Sequence, residues 1–110
     1  HLVLMAFLHR VVNGGGTLDR EYAIGSGRMD ICLRYGKEVL AMELKVWRKG
    51  SSDPLKKGLQ QLDKYLSGLN LPTGWLVIFD RRPNLLPISE RTTTEMAISP
   101  QGRNITVIRG

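Results

Sequence analysis

The chain has 110 residues, 42% of them apolar and 24% charged, which fits a globular domain and excludes collagen-like, disordered and coiled-coil chains. Lys and Arg number 16 against 10 Asp and Glu, and the net charge of +6 favours an acidic partner, of which nucleic acid is the commonest. The single cysteine, Cys32, excludes an internal disulfide and a multi-cysteine zinc site, and it fits a reducing, cytoplasmic setting.

The length predicts one domain over residues 1–110. Its longest apolar run, Leu2 to Leu8, is too short to cross a membrane, and no basic segment precedes it as a signal peptide requires. The chain opens inside this run without a Met, so we expect a piece of a longer protein.

Leu2 to Val12 is nearly all apolar and long enough to favour a buried helix, which Asn13-Gly14-Gly15-Gly16 stops. Arg20 to Ile24 alternates as a short strand before Gly25-Ser26-Gly27. Met29, Ile31, Leu33 and Tyr35 alternate with Arg28, Asp30, Cys32 and Arg34, a strand pattern. A turn over Tyr35-Gly36-Lys37-Glu38 joins it as a hairpin to a second strand, Val39 to Trp47. Asp53 at the N-cap and Pro54 at the first turn open a helix that runs to Leu66 or Gly68. Leu55, Leu59, Leu62, Leu66 and Leu69 form its apolar stripe, with Lys56, Lys57, Asp63 and Lys64 facing water. Trp75 to Phe79 is a continuous apolar run, the pattern of a strand covered on both faces. Pro83 to Thr94 reads as a loop, and Met96 to Ile98 with Asn104 to Ile108 as a closing hairpin around Pro100-Gln101-Gly102. A hairpin, a crossover helix and a buried strand together predict an α/β fold with a mixed β-sheet flanked by helices.

Familiar catalytic signatures are missing. Gly14-Gly15-Gly16 lacks the Lys-Ser/Thr of a phosphate loop. His1 and His9 have no partner at zinc-ligand spacing, and Ser26 lacks a nucleophile elbow.

The informative feature is a set of charges inside an apolar hairpin. Glu43 and Lys45 stand two apart on the second strand, so they share a face. A turn at Gly36-Lys37 pairs residues whose numbers sum to about 73, which sets Asp30 opposite Glu43. Charges so placed cost several kcal/mol unless they are paired or metal-bound. Two readings stay open on the residues alone. One is a buried ion pair or a solvated sheet face. The other is a divalent cation on Asp30 and Glu43, with Lys45 holding or activating a water.

The constellation resembles the PD-(D/E)XK nuclease superfamily, whose half-motif stands here as Glu43-Leu44-Lys45 preceded by Asp30. More closely, the stretch from Phe7 to Arg82 looks like the nuclease-like domain at the C-terminal end of bacterial predicted AAA-type ATPases. Arg20-Glu21-Tyr22, Gly25-Ser26-Gly27-Arg28-Met29-Asp30, Met42-Glu43-Leu44-Lys45-Val46-Trp47 and Gly58-Leu59-Gln60-Gln61-Leu62-Asp63-Lys64-Tyr65 carry the likeness.

The resemblance implies a restriction-endonuclease-like fold and Mg²⁺- or Mn²⁺-dependent hydrolysis of phosphodiester bonds, with DNA as the substrate. Asp30 and Glu43 match the metal ligands, Lys45 the catalytic lysine, and Gln61 with Tyr65 a polar pair on the following helix that faces the site or the DNA. On the residues alone, Gln61 is equally a boundary polar residue and Tyr65 a flank of the leucine stripe. Arg28, Arg48 and Lys49 are expected to contact nucleic acid, with Arg34, Lys37, Lys56, Lys57 and Lys64 as further backbone contacts.

Relatives often carry an acidic residue on the first helix, and Leu2 to Val12 has none. Glu21 is the candidate substitute, although Glu21 and Arg28 could equally pair with each other. The resemblance further implies an ATPase domain on the same chain, and leaves a homodimer open. It also leaves open a second function, a DNA-binding or regulatory module that keeps the fold without turnover.

Overall fold

The computed structural model of the chain describes residues 20–23, 28–35 and 38–110. The helix expected over Leu2 to Val12, the Gly-rich stretch after it and the turn at Gly36-Lys37 lie outside the described residues. The elements are β1 (Arg20–Ala23), β2 (Arg28–Tyr35), β3 (Glu38–Trp47), α1 (Leu55–Leu69), β4 (Thr73–Asp80), α2 (Ile88–Arg91), β5 (Thr93–Ile98) and β6 (Asn104–Arg109). Among the described residues the strands form one six-stranded sheet in the order β1-β2-β3-β4-β6-β5. β1, β2 and β3 pair antiparallel, β3 with β4 and β4 with β6 pair parallel, and β5 closes antiparallel on β6. This is the mixed α/β sheet that the hairpin, crossover helix and buried strand predict.

The core lies between α1 and one face of the sheet. Leu62 and Leu66 of α1 pack on Ala41, Leu76, Ile78, Ile105 and Val107, with Leu55, Leu59 and Leu69 half-buried around them. Each fully buried leucine contributes about 1.5–3 kcal/mol. Met42, Leu44, Val77, Phe79 and Ile108 alternate with these residues and are equally buried. The central strands are therefore covered on both faces, as the apolar run from Trp75 to Phe79 suggests. Two glycines let the helix approach closely. A Cβ on Gly58 would come within 2.8 Å of Leu76 Cδ1, and one on Gly74 within 2.9 Å of Leu66 Cδ1. No helix among the described residues is long and apolar enough to cross a membrane.

Four local expectations change. The helix starts at Leu55 with Pro54 as its N-cap, although the Asp53 carboxylate still accepts the Leu55 N–H at 3.1 Å. It continues past Gly68 to Leu69, because the left-handed conformation that ends it is taken by Asn70 (φ 56°). The segment from Pro83 to Thr94 is not all loop. It contains the single turn α2 and the start of β5, whose side chains are mostly exposed and so carry no alternation to read.

The fourth change concerns Asp63, which does not face water but is buried. Ser99 Oγ donates to its Oδ1 at 2.6 Å, Arg103 Nη1 donates to the same oxygen at 2.8 Å, and the Gln101 N–H donates to Oδ2 at 3.1 Å. The turn between β5 and β6 folds over the helix and supplies these donors. Nothing in the periodicity of α1 announces them.

Candidate functional site

The site begins with the alternation of β3. Met42 and Leu44 fill one face, so Ala41, Glu43 and Lys45 point to the other, toward α1. All are buried, and Glu43 is 0% exposed. The hairpin register sets Asp30 directly opposite Glu43 and Arg28 opposite Lys45, as the turn arithmetic predicts. Asp30 is 6% exposed. Directly opposed residues carry Cβ atoms about 5 Å apart, so the two carboxylates share one patch of sheet.

α1 crosses over this patch and contributes two features. Gly58 leaves room for the Lys45 stem, since a Cβ there would stand 3.3 Å from Lys45 Cγ. One turn on, the Gln61 side-chain carbonyl accepts a hydrogen bond from Lys45 Nζ at 2.9 Å. A neutral amide oxygen fixes the direction of the ammonium without neutralising it. Gln61 therefore lies beside Lys45, and Tyr65 one turn on shares its helix face. Tyr65 is half-buried against the leucine core, which fits a flank of the leucine stripe, and has its own partner. Asp30, Glu43 and Lys45 are likewise all engaged.

The other expected residues are placed less centrally. Arg48 and Lys49 are exposed on the turn after β3, where Ser51 Oγ donates to the Arg48 carbonyl at 2.7 Å. Lys56, Lys57 and Lys64 are exposed on the outer side of α1. By register Glu21 stands opposite Asp30, which completes a row of Glu21, Asp30 and Glu43 across three strands. The side chains of Glu21 and Arg28 lie outside the described residues.

Two carboxylates with water suit magnesium or manganese, which take oxygen ligands and retain several waters. Among the described residues no group of three or more His, Cys, Asp and Glu is arranged to hold a metal. A cation would rest on Asp30 and Glu43, with Glu21 next in the row.

Gly58 is the residue that reading the motif overlooks. A glycine in mid-helix beside an apolar stripe signals a close approach of backbone to neighbour, and here it makes the helix fit over Lys45. Gly58→Leu is expected to destabilise the domain by about 1–3 kcal/mol through overpacking against Leu76 and Lys45. Urea unfolding measures this, and an unchanged midpoint would show that the helix does not need the space.

Comparison with protein-family models, curated proteins and solved structures found no match. The functional reading therefore rests on the residues and their geometry.

Proposed function

We propose that this domain hydrolyses phosphodiester bonds in nucleic acid, with DNA as its substrate, on a restriction-endonuclease-like α/β core. The observation that carries this reading is the buried pair Asp30 and Glu43 in cross-strand register, with Lys45 on the same face and held by Gln61. An apolar hairpin that buries two acids beside one ammonium bears a desolvation cost that packing alone does not require. Asp30 and Glu43 would hold Mg²⁺ or Mn²⁺, which when bound supplies positive charge to offset a scissile phosphate. Lys45 orients the attacking water and stabilises negative charge as it develops. Gln61 acts through Lys45, as a positioning residue. The net charge of +6 and the exposed Arg48 and Lys49 support retention of an anionic backbone.

A second reading is favoured by the depth of the cluster. Glu43 is fully buried, which suits an ion-pair network kept for folding in a DNA-binding or regulatory module attached to an ATPase. Metal titration separates the two. Calorimetry with Mn²⁺ should show binding to the wild type, and its loss in Glu43→Gln and Asp30→Asn. Each substitution also removes one of two like charges, so apo stability should hold or rise. Unchanged Mn²⁺ binding in Glu43→Gln would refute the metal assignment, and no binding by the wild type would favour the regulatory module.

A further inference from the structure

A second concave feature opens where the parallel strands β3, β4 and β6 end, the edge of an α/β sheet where ligands gather. It is a cleft of about 250 Å³ lined by Trp47, Ile78, Arg82, Leu85, Leu86 and Arg91 among others. Trp47 follows Lys45 by two residues on β3, so the cleft lies further along the strand that carries Lys45.

Its walls differ in chemistry. On one, Arg82 lies over the Trp47 ring with Cζ 3.6 Å from the centroid. Asp80 holds Arg82 Nε and Nη2 at 2.9 and 2.6 Å, and Nη1 stands outside that pair. The Arg82 fork keeps the Asp80 carboxyl below its ordinary range, so the pair stays ionised. Arg91 is anchored through Nη1 to the Asp80 carbonyl at 3.0 Å. Its Nε is buried and has no hydrogen-bond partner. Arg91 itself lines the cleft, where its charge would draw an oxyanion. On the other wall, Leu85 and Leu86 are 38% and 63% exposed, an apolar surface turned to water. A ligand that answers both walls carries an anionic group and a flat apolar body. Arg109 also borders the cleft, but Asp53 and Glu95 already hold it.

We infer that the cleft holds a nucleotide unit of a nucleic-acid strand, its phosphate on Arg82 and Arg91 and its base against Leu85 and Leu86. This rests on the nucleic-acid reading above but not on hydrolysis. The same chemistry could be presented by a free nucleotide, so the test includes both.

The experiment is fluorescence anisotropy of the full chain with a labelled single-stranded oligodeoxynucleotide at low salt without metal, and with thymidine monophosphate as competitor. Arg91→Gln should raise Kd about tenfold through loss of a charge-assisted contact. Leu86→Ser, at an exposed position that does not threaten folding, should raise it about threefold. Lys64→Gln removes one of the general backbone contacts on the outer side of α1, and should raise it by only about twofold, well short of Arg91→Gln. Equal losses in Arg91→Gln and Lys64→Gln, with none in Leu86→Ser, would reduce binding to general electrostatics and overturn the cleft. Competition by thymidine monophosphate at the oligonucleotide's own affinity would assign the cleft to free nucleotides and overturn the strand. Cleft-dependent binding without cleavage when Mg²⁺ is added would sustain this inference and count against hydrolysis. Cleavage with unchanged binding in both cleft variants would do the reverse.

Discussion

Lys45→Ala is expected to lose about 10²–10⁴-fold in the rate of DNA cleavage, the usual contribution of a positioned acid or base. DNA binding should stay within a few-fold. One ammonium is a minor part of a sequence-independent electrostatic contact, whereas in the transition state it faces the charge that develops. The alanine variant also leaves Asp30 and Glu43 without their neighbouring cation, and a second variant separates that charge from the chemistry. Lys45→Arg keeps the charge and so the compensation. It should still lose most of the rate, because a planar guanidinium cannot take the place of a compact ammonium beside Gln61 or release a proton. The assay is cleavage of supercoiled and single-stranded DNA with Mg²⁺ and Mn²⁺, the three proteins side by side. Equal cleavage by all three would assign the activity to a contaminant or to another residue.

The parts of this structure that follow short-range rules can be read from the sequence. The hairpin register follows from the turn position alone, and it sets Asp30 opposite Glu43. The leucine stripe of α1 follows from its 3.6-residue period, and the two-sided burial of β4 from its unbroken apolar run. Gln61 is only half legible: the face it shares with Tyr65 follows from their i, i+4 spacing, whereas its place over Lys45 depends on how closely α1 crosses the sheet. What escapes is contact between segments far apart in the chain. Asp63 sits among lysines on a helix and reads as solvated, yet a turn more than a helix length away closes over it. β5 escapes for a different reason. Thr93, Thr94, Glu95 and Met96 are exposed on a sheet edge, so no core imposes an alternating pattern on them. The cleft is illegible in the same way, because β3, β4 and the segment after Asp80 meet only in three dimensions.

Asp63→Ala is expected to destabilise the domain by about 3–5 kcal/mol, the cost of removing one partner from a buried ion pair. The carboxylate satisfies the Ser99 hydroxyl, the Gln101 N–H and the Arg103 guanidinium at once. Arg103 in turn donates through Nε to the Leu71 carbonyl at 3.0 Å, so the network ties the β5–β6 turn to the end of α1. Burial pushes the Asp63 carboxyl up, but the hydrogen bonds from Ser99 and Arg103, the Arg103 charge and the Gln101 N–H outweigh it. The net position is below the ordinary 3.8. A carboxyl held lower in the folded than in the unfolded chain contributes stability that is complete above the unfolded value. That contribution is lost as pH falls from 3.8 through the folded value. Asp80 is lowered in the same direction through the Arg82 fork, so the wild type loses stability in acid from both groups. Asp63→Asn removes one contribution and leaves the other. Urea unfolding of wild type and Asp63→Asn should therefore differ most at neutral pH and converge as pH falls from 3.8 through the folded value. A gap that stays constant across this range would place the stabilisation in packing and not in the charge of Asp63.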